Sequence, residues 1–256
     1  MRGAPATLEL IALVACGAAV HAKEAPRGEQ GPACEPVVFE GAPLTDCTAD
    51  PVRDRIRIVV GPEGGQPYRS LSAFAAARPR HAAPVRFVMN AGMFGEDGQP
   101  IGYTVIGGKR VHALNRASAT GNFYMKPNGV FFGTGGKWRV LSTDAFADTV
   151  GKRPEFATQS GPMLLVGGAL HPDIAPDGPS KKVRNAVGVD PAGRAHFVIS
   201  DAPISFGKLA RYYRDALKAS NALFLDGTVS QLWDPAKRRM DSGPPLGPLV
   251  VVQRRQ

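Results

Sequence analysis

Three cysteines are all that the 256 residues contain. None stands in a C-x-x-C pair, so neither a zinc ribbon nor a thioredoxin-type site is supported. Histidine is equally thin: five residues lie dispersed at positions 21, 81, 112, 171 and 196. With no H-E-x-x-H and no EF-hand loop, no metal site and no cofactor are expected. A Walker A loop is missing, because Gly136-Lys137 runs into Trp138 instead of Ser or Thr. A G-x-S-x-G elbow is missing as well, since Thr158 stands where Ser160 would need a glycine. No apolar stretch approaches the roughly 18 residues of a membrane-spanning helix. Long basic runs interleaved with aromatics are also absent. The net charge of +9 is spread along the chain, densest at Lys181-Lys182 with Arg184, Lys237-Arg238-Arg239 and Arg254-Arg255. A basic surface favours anionic partners, yet this scatter does not describe a nucleic-acid interface, and no nucleic-acid partner is expected.

What the chain does have in quantity is Gly, at 30, and Pro, at 23, which points to many turns and a β-rich body. Its start reads as a leader. Arg2 precedes an apolar stretch from Leu10 to Val20, and Val20-His21-Ala22 offers a small-residue cleavage site. The expectation is therefore a signal peptide over 1–22 and a mature start at Lys23, with a periplasmic or secreted product. Leu13-Val14-Ala15-Cys16 also resembles a lipobox, so the alternative is an envelope lipoprotein with a lipid anchor at Cys16. Residues 23–33 are polar and rich in Gly and Pro, as a flexible linker is; a single domain over 34–256 follows. Removing the leader leaves Cys34 and Cys47, an even pair suited to an oxidising compartment. A bridge between them would close a loop of about a dozen residues and contribute roughly 3 kcal/mol.

Short apolar, β-branched runs predict strands at Ile56–Val60, Val85–Met89, Tyr103–Ile106, Gly129–Phe132, Arg139–Leu141, Met163–Val166, Ala186–Val189, His196–Ile199, Ala222–Leu225 and Leu249–Val252. Gly107-Gly108, Gly135-Gly136, Gly167-Gly168 and Asp190-Pro191 fall between neighbouring runs and predict antiparallel hairpins. Helices are fewer: Leu71–Arg78 with Ser70 as N-cap, Asp144–Val150, and Phe206–Ser220 with Ser205 as N-cap. In the last, Phe206, Leu209, Ala210, Tyr213 and Leu217 share one helical face. The expected class is α/β (α+β): a mixed, largely antiparallel β-sheet core with a few flanking helices.

Four strand ends break into small and polar residues, where a rigid backbone can present an exposed side chain. Asn90 and Gly92 follow the run Phe87–Met89; Gly92 would let a ligand approach or take positive φ. Gln159 and Ser160 precede Met163–Val166 and supply neutral hydrogen-bonding groups. Arg184 and Asn185 open Ala186–Val189, and a guanidinium matches phosphate bidentately. Asp226 and Gly227 close Ala222–Leu225, a typical place for a catalytic carboxylate. Each site has a bland alternative: a turn, a polar loop, a surface ion pair, or an Asp-Gly hairpin.

Taken in order, these motifs resemble the phosphodiester glycosidase family, in its bacterial exported branch, related to the catalytic domain of the enzyme that uncovers mannose 6-phosphate. The resemblance spans roughly Cys47 to Val252. It is carried by Met89-Asn90-Ala91-Gly92-Met93-Phe94, Pro100-Ile101-Gly102, Gly121-Asn122-Phe123, Pro127-Asn128-Gly129-Val130-Phe131, the Ala157–Leu164 segment, Arg184-Asn185-Ala186-Val187-Gly188 and Leu225-Asp226-Gly227. Many members continue Asp-Gly with glycines and serines, whereas Thr228-Val229-Ser230-Gln231 stands here. The resemblance implies hydrolysis of a sugar-1-phosphodiester, with a glycan or phosphorylated sugar as partner. On that reading Asp226, Arg184 and Asn90 form the catalytic set. Ser160, Gln159, Asn185, Gly92 and Gly227 bind substrate, and Asp201 is the fallback second carboxylate. The alternatives are a glycan-binding module without turnover, and an adhesion or envelope-assembly protein using its basic face on anionic polymer.

Overall fold

The computed structural model describes residues 32–149 and 153–255, with Met1 and Gly3. The leader and most of the linker read from the sequence lie outside the described residues. Seventeen strands and three α-helices make up the described chain. The first strands are β1 (Cys34–Phe39), β2 (Ala42–Ala49), β3 (Asp54–Val59), β4 (Val85–Asn90), β5 (Thr104–Ile106) and β6 (Lys109–His112). The middle holds β7 (Gly129–Thr134), β8 (Lys137–Ser142), β9 (Phe156–Ser160), β10 (Met163–Val166) and β11 (Ala169–Leu170). The rest are β12 (Asn185–Val189), β13 (Ala195–Ser200), β14 (Ala222–Asp226), β15 (Leu232–Asp234), β16 (Arg239–Met240) and β17 (Leu249–Arg254). The helices are α1 (Leu71–Ala77), α2 (Thr143–Thr149) and α3 (Phe206–Arg211).

The strands build three sheets: a seven-stranded one ordered β1-β2-β13-β12-β14-β10-β11, and two five-stranded ones ordered β16-β15-β4-β17-β3 and β6-β5-β9-β7-β8. Their pairings are antiparallel, so the expected class holds. The glycine pairs do what their sequence promised. Gly107-Gly108, Gly135-Gly136 and Gly167-Gly168 all have positive φ and link Ile106 to Lys109, Thr134 to Lys137 and Val166 to Ala169. Two left-handed residues give the turn whose twist matches the flanking strands.

Alternation along each strand divides its side chains between a common core and an outer layer. Phe87 and Met89 of β4, Phe131 of β7, and Val187, Phe197 and Leu223 of the large sheet meet in one buried cluster. Phe197 stands at its centre, edge-on to Phe87 and to Phe131, each with ring centroids 5.5 Å away. Truncating it to Ala would cost about 3–5 kcal/mol. Each outer face carries one helix. α1 covers Val88 and Val251 with Leu71 and Phe74. α2 covers Val130, Phe132 and Ala157 with Phe146. α3 covers Ala186, Val198 and Phe224 with Leu209 and Ala210. These strands are buried on both faces, which is why their sequences read as continuous apolar runs.

Several elements depart from expectation, the short strands β6, β11, β15 and β16 among them. β1 and β2, which carry the Cys34–Cys47 disulfide, were not expected as strands, because Pro36, Pro43 and alternating polar residues hide their pattern. β9 is not among the expected strands, and a polar loop was one alternative for its end, yet Phe156–Ser160 is a buried central strand between β5 and β7. The helix expected over Phe206–Ser220 stays α-helical only to Arg211, then widens into a π-turn over Tyr212–Ala216. The wider turn lets two successive tyrosines both point inward: Tyr212 donates to Asp46, and Tyr213 to the carbonyl of Ala186. The caps at Ser70 and Ser205 are present, accepting from the amides of Ala73 and Lys208.

Candidate functional site

The polar strand ends converge where the three sheets meet. Asn90 ends β4, Asn185 begins β12, Asp226 ends β14, and Gln159 and Ser160 end β9. Asn90 and Asn185 face each other through their amides. Asn185 Nδ2 donates to the carbonyl oxygen and to Oδ1 of Asn90, each at 3.0 Å. Asn90 Oδ1 also accepts from the amide of Gln231 at 2.9 Å. Asn185 Oδ1 accepts from the amide of Asp226 at 3.0 Å and lies 3.4 Å from Ser230 Oγ. The backbone donors fix which end of each side-chain amide is oxygen.

Strict alternation would send Asp226 to the α3 side, two residues after Phe224. A β-bulge prevents this. Ala186 faces Phe224, but Asn185 faces Asp226, so Leu225 is an extra residue and Asp226 emerges on the side of Asn185. The bulge strands the Leu225 carbonyl, and Ser160 Oγ donates to it at 2.7 Å. Asp226 is therefore no hairpin residue: β14 pairs with β10 and β12, while the chain beyond it crosses to β15 in another sheet. Its carboxylate accepts from the amide of Thr228 at 3.0 Å. Burial raises its pKa, only partly opposed by the amides of Thr228, Gly227 and Val229.

Arg184 lies on the other side of the same strand end, 1% exposed. Its guanidinium stacks 3.6 Å from the Phe206 ring centroid and 5.5 Å from that of Phe224. Nε donates to the carbonyl of Ile204 at 2.9 Å, and Nη2 to the carbonyl and hydroxyl of Ser180 at 3.1 Å. Among the described residues it has no carboxylate partner, and burial lowers its pKa to about 10, which leaves it charged at neutral pH. Buried charges are ordinarily paired with an opposite charge, so a guanidinium whose hydrogen-bond partners are all neutral stands out. Its Nη1 points at the Asp226–Gly227 segment, 3.5 Å from where a Cβ on Gly227 would stand. A side chain on Gly227 would press on the Phe224 ring at 3.1 Å and lie against Nη1, so the glycine leaves the guanidinium edge uncovered.

Other expected residues are placed differently. Gln159 Oε1 accepts from the amides of Tyr103 and Asn115, while Nε2 donates to the carbonyl of Asn115 and to Thr143. With its amide filled, Gln159 braces the interior. Gly92 does not adopt positive φ. It is glycine because a Cβ would strike the Gln159 carbonyl, a protein contact and not a ligand's. Asp201 does not join the Asp226 cluster; its carboxylate takes Arg239 at 2.7 Å and the Thr45 hydroxyl at 2.8 Å. Residues not foreseen are Ser180, Phe206 and Gln231. Ser230 was within reach of sequence reasoning, four residues after Asp226, and its hydroxyl donates to the Asp226 carbonyl at 2.7 Å. Among the described residues no cluster of three or more His, Cys, Asp or Glu could hold a metal.

Comparison with known proteins places this arrangement in context. The family model described as phosphodiester glycosidase matches residues 83–236. The uncharacterised protein YigE of Escherichia coli strain K12 is 35% identical over 186 residues, covering 73% of this chain and 72% of YigE. Zebrafish N-acetylglucosamine-1-phosphodiester alpha-N-acetylglucosaminidase, solved as a catalytic domain auto-inhibited by its pro-peptide, matches with a TM-score of 0.59 and 15% identity. That match covers 90% of this chain and 87% of the zebrafish domain. A Burkholderia pseudomallei K96243 protein classed as exported matches with a TM-score of 0.55 and 12% identity, over 83% and 74% of the two chains. At such identities the two solved structures show a shared fold.

Proposed function

Because the chain belongs to the phosphodiester glycosidase family, we propose that it is an exported hydrolase that cleaves the glycosyl–phosphate bond of a sugar-1-phosphodiester in an envelope or extracellular glycan. The observation that carries this reading is Arg184, a buried guanidinium without a carboxylate partner among the described residues, aimed at the segment that bears Asp226. Arg184 would hold the phosphate, whose departure as a monoester leaves a weakly basic oxygen. A strong general acid is then less needed than in ordinary glycosidases, which suits a cluster with one carboxylate. Asp226 would serve the anomeric carbon, by attack, by activating water or by stabilising positive charge. Water supplies the hydroxyl, and the products are a reducing sugar and a phosphate monoester. Export is supported by the leader-like start of the sequence and by the Cys34–Cys47 bridge, a bond of oxidising compartments.

The test is a panel of sugar-1-phosphodiesters, with detection of released reducing sugar. Turnover is expected, and Asp226→Asn should remove it by about 10²–10⁴-fold or more while the protein stays folded. The active form carries an ionised Asp226, so the acid limb of kcat/KM should fall above the ordinary carboxylate range, as burial dictates. Binding without turnover would make the protein a glycan-binding module, and an Asp226→Asn variant at wild-type rate would move the chemistry elsewhere.

A further inference from the structure

We infer that Asn185 and Ser160 are positioning residues for Asp226 and do not touch substrate. The inference rests on the reading of Asp226 as the reactive carboxylate and assigns the neighbours a different task from the sugar binding that their residue types suggest.

Consider first what each side chain has left to offer. An asparagine amide has two N–H donors and an oxygen with two lone pairs. Both donors of Asn185 are taken by Asn90, at 3.0 Å to its carbonyl and 3.0 Å to its Oδ1. Its oxygen receives the Asp226 amide at 3.0 Å, with Asn90 Nδ2 at 3.3 Å and Ser230 Oγ at 3.4 Å. The residue is wholly buried. Nothing remains for a sugar hydroxyl. Ser160, wholly buried as well, spends its one proton on the Leu225 carbonyl.

Consider next what those bonds accomplish. The aim of Asp226 depends on the bulge at Leu225. A bulge leaves one carbonyl without a ladder partner, and Ser160 supplies it. The residue after the bulge needs its amide held so that the side chain leaves in one direction, and Asn185 holds it. The Asn90 end of this pair is tied to the Gln231 amide, so the segment from Asp226 to Gln231 is fastened at both ends to the large sheet and to β4. Ser160 comes from the third sheet. Asp226 is thus oriented by all three sheets, none of which presents these two side chains to solvent.

Three variants test this. Asn185→Ala should lower kcat on a sugar-1-phosphodiester by about 10²-fold, the scale of a misplaced catalytic group, with KM changed less than about threefold. Ser160→Ala, a smaller change, should lower kcat by about tenfold in the same pattern. Asn185→Asp keeps the acceptor for the Asp226 amide, so its kcat at pH above the acid limb should fall less than that of Asn185→Ala, while the second carboxylate beside Asp226 moves that limb up. If Asn185→Ala does not fold, Ser160→Ala and Asn185→Asp still decide. Amide hydrogen exchange gives a reading independent of turnover: the Asp226 amide should exchange faster in Asn185→Ala, which removes its acceptor, and not in Asn185→Asp or Ser160→Ala, which keep it. An increase in KM at unchanged kcat would make Asn185 a substrate contact and overturn the inference, as would an unchanged Asp226 exchange rate in Asn185→Ala. If the wild type cleaves no sugar-1-phosphodiester while the Asp226 amide responds as stated, the proposed reaction fails and the positioning stands.

Discussion

Replacing Arg184 with methionine separates binding from folding more cleanly than any other change in the site. Methionine conserves most of the side-chain volume and removes the charge. Three effects compete. Burial lowers Arg184 to about 10, which at 1.36 kcal/mol per pH unit is about 3 kcal/mol of desolvation relieved by the change. Against that, the Ile204 carbonyl loses the Nε donor at 2.9 Å but keeps the Lys182 amide at 3.3 Å, at a cost of about 1 kcal/mol. The stack on Phe206 is worth about 2 kcal/mol when desolvated, and a thioether over the same ring restores about 0.3–1.5 kcal/mol of it. Ser180 is exposed, so water replaces the guanidinium there. The sum lies within about 1.5 kcal/mol of zero, so urea denaturation should find the variant nearly as stable as the wild type. Function should not survive. A charge-assisted hydrogen bond to phosphate is worth about 1.5–3 kcal/mol, roughly 10- to 150-fold in kcat/KM for each bond lost. Arg184→Lys should recover only part, because an ammonium cannot reproduce the planar fork. Full activity in Arg184→Met would refute a phosphate role. Loss of more than about 4 kcal/mol of stability would show that the guanidinium is chiefly structural.

Two further predictions concern the frame around the site. Breaking the Cys34–Cys47 bridge, which spans a sequence separation of 13, should lower stability by about 3 kcal/mol, measured by denaturing the Cys34→Ser, Cys47→Ser double variant; a change under about 1 kcal/mol would contradict the loop-closure argument. His196 is buried, which alone would lower its pKa, but Asp46 at 3.0 Å and Asp190 at 3.3 Å outweigh burial and raise it. The stabilising charge is then fully present below the unfolded-state value of about 6.5 and is lost as pH rises through the higher folded value. The Tm should fall across that window in the wild type and stay flatter in His196→Gln; parallel curves would mean that another group titrates.

Much of the fold could be read locally. Met163–Val166 was delimited correctly, the glycine pairs announced three hairpins, and Ser70 and Ser205 announced two helix starts, because each signal acts within a few residues. β9 escaped because Thr158, Gln159 and Ser160 carry polar side chains whose partners, Gly92, Asn115 and Leu225, are distant in sequence. The same distance hid the site's internal wiring. Arg184, Asn185 and Asp226 could be singled out as residue types suited to chemistry, but Gln159 and Gly92 turned out to serve the packing of their own neighbourhood.

The sequence by itself determined which residues are apolar, where the chain turns and which polar groups stand at strand ends, since these follow from side-chain chemistry and local backbone preference. Only the tertiary structure decided what those polar groups face. One extra residue in β14, at Leu225, turns Asp226 from the helix side to the Asn185 side. That choice depends on register between strands some forty residues apart, with Asn185 bonding the Asp226 amide at a separation of 41. Register is set by the packing of three sheets around Phe197, and no local pattern encodes it.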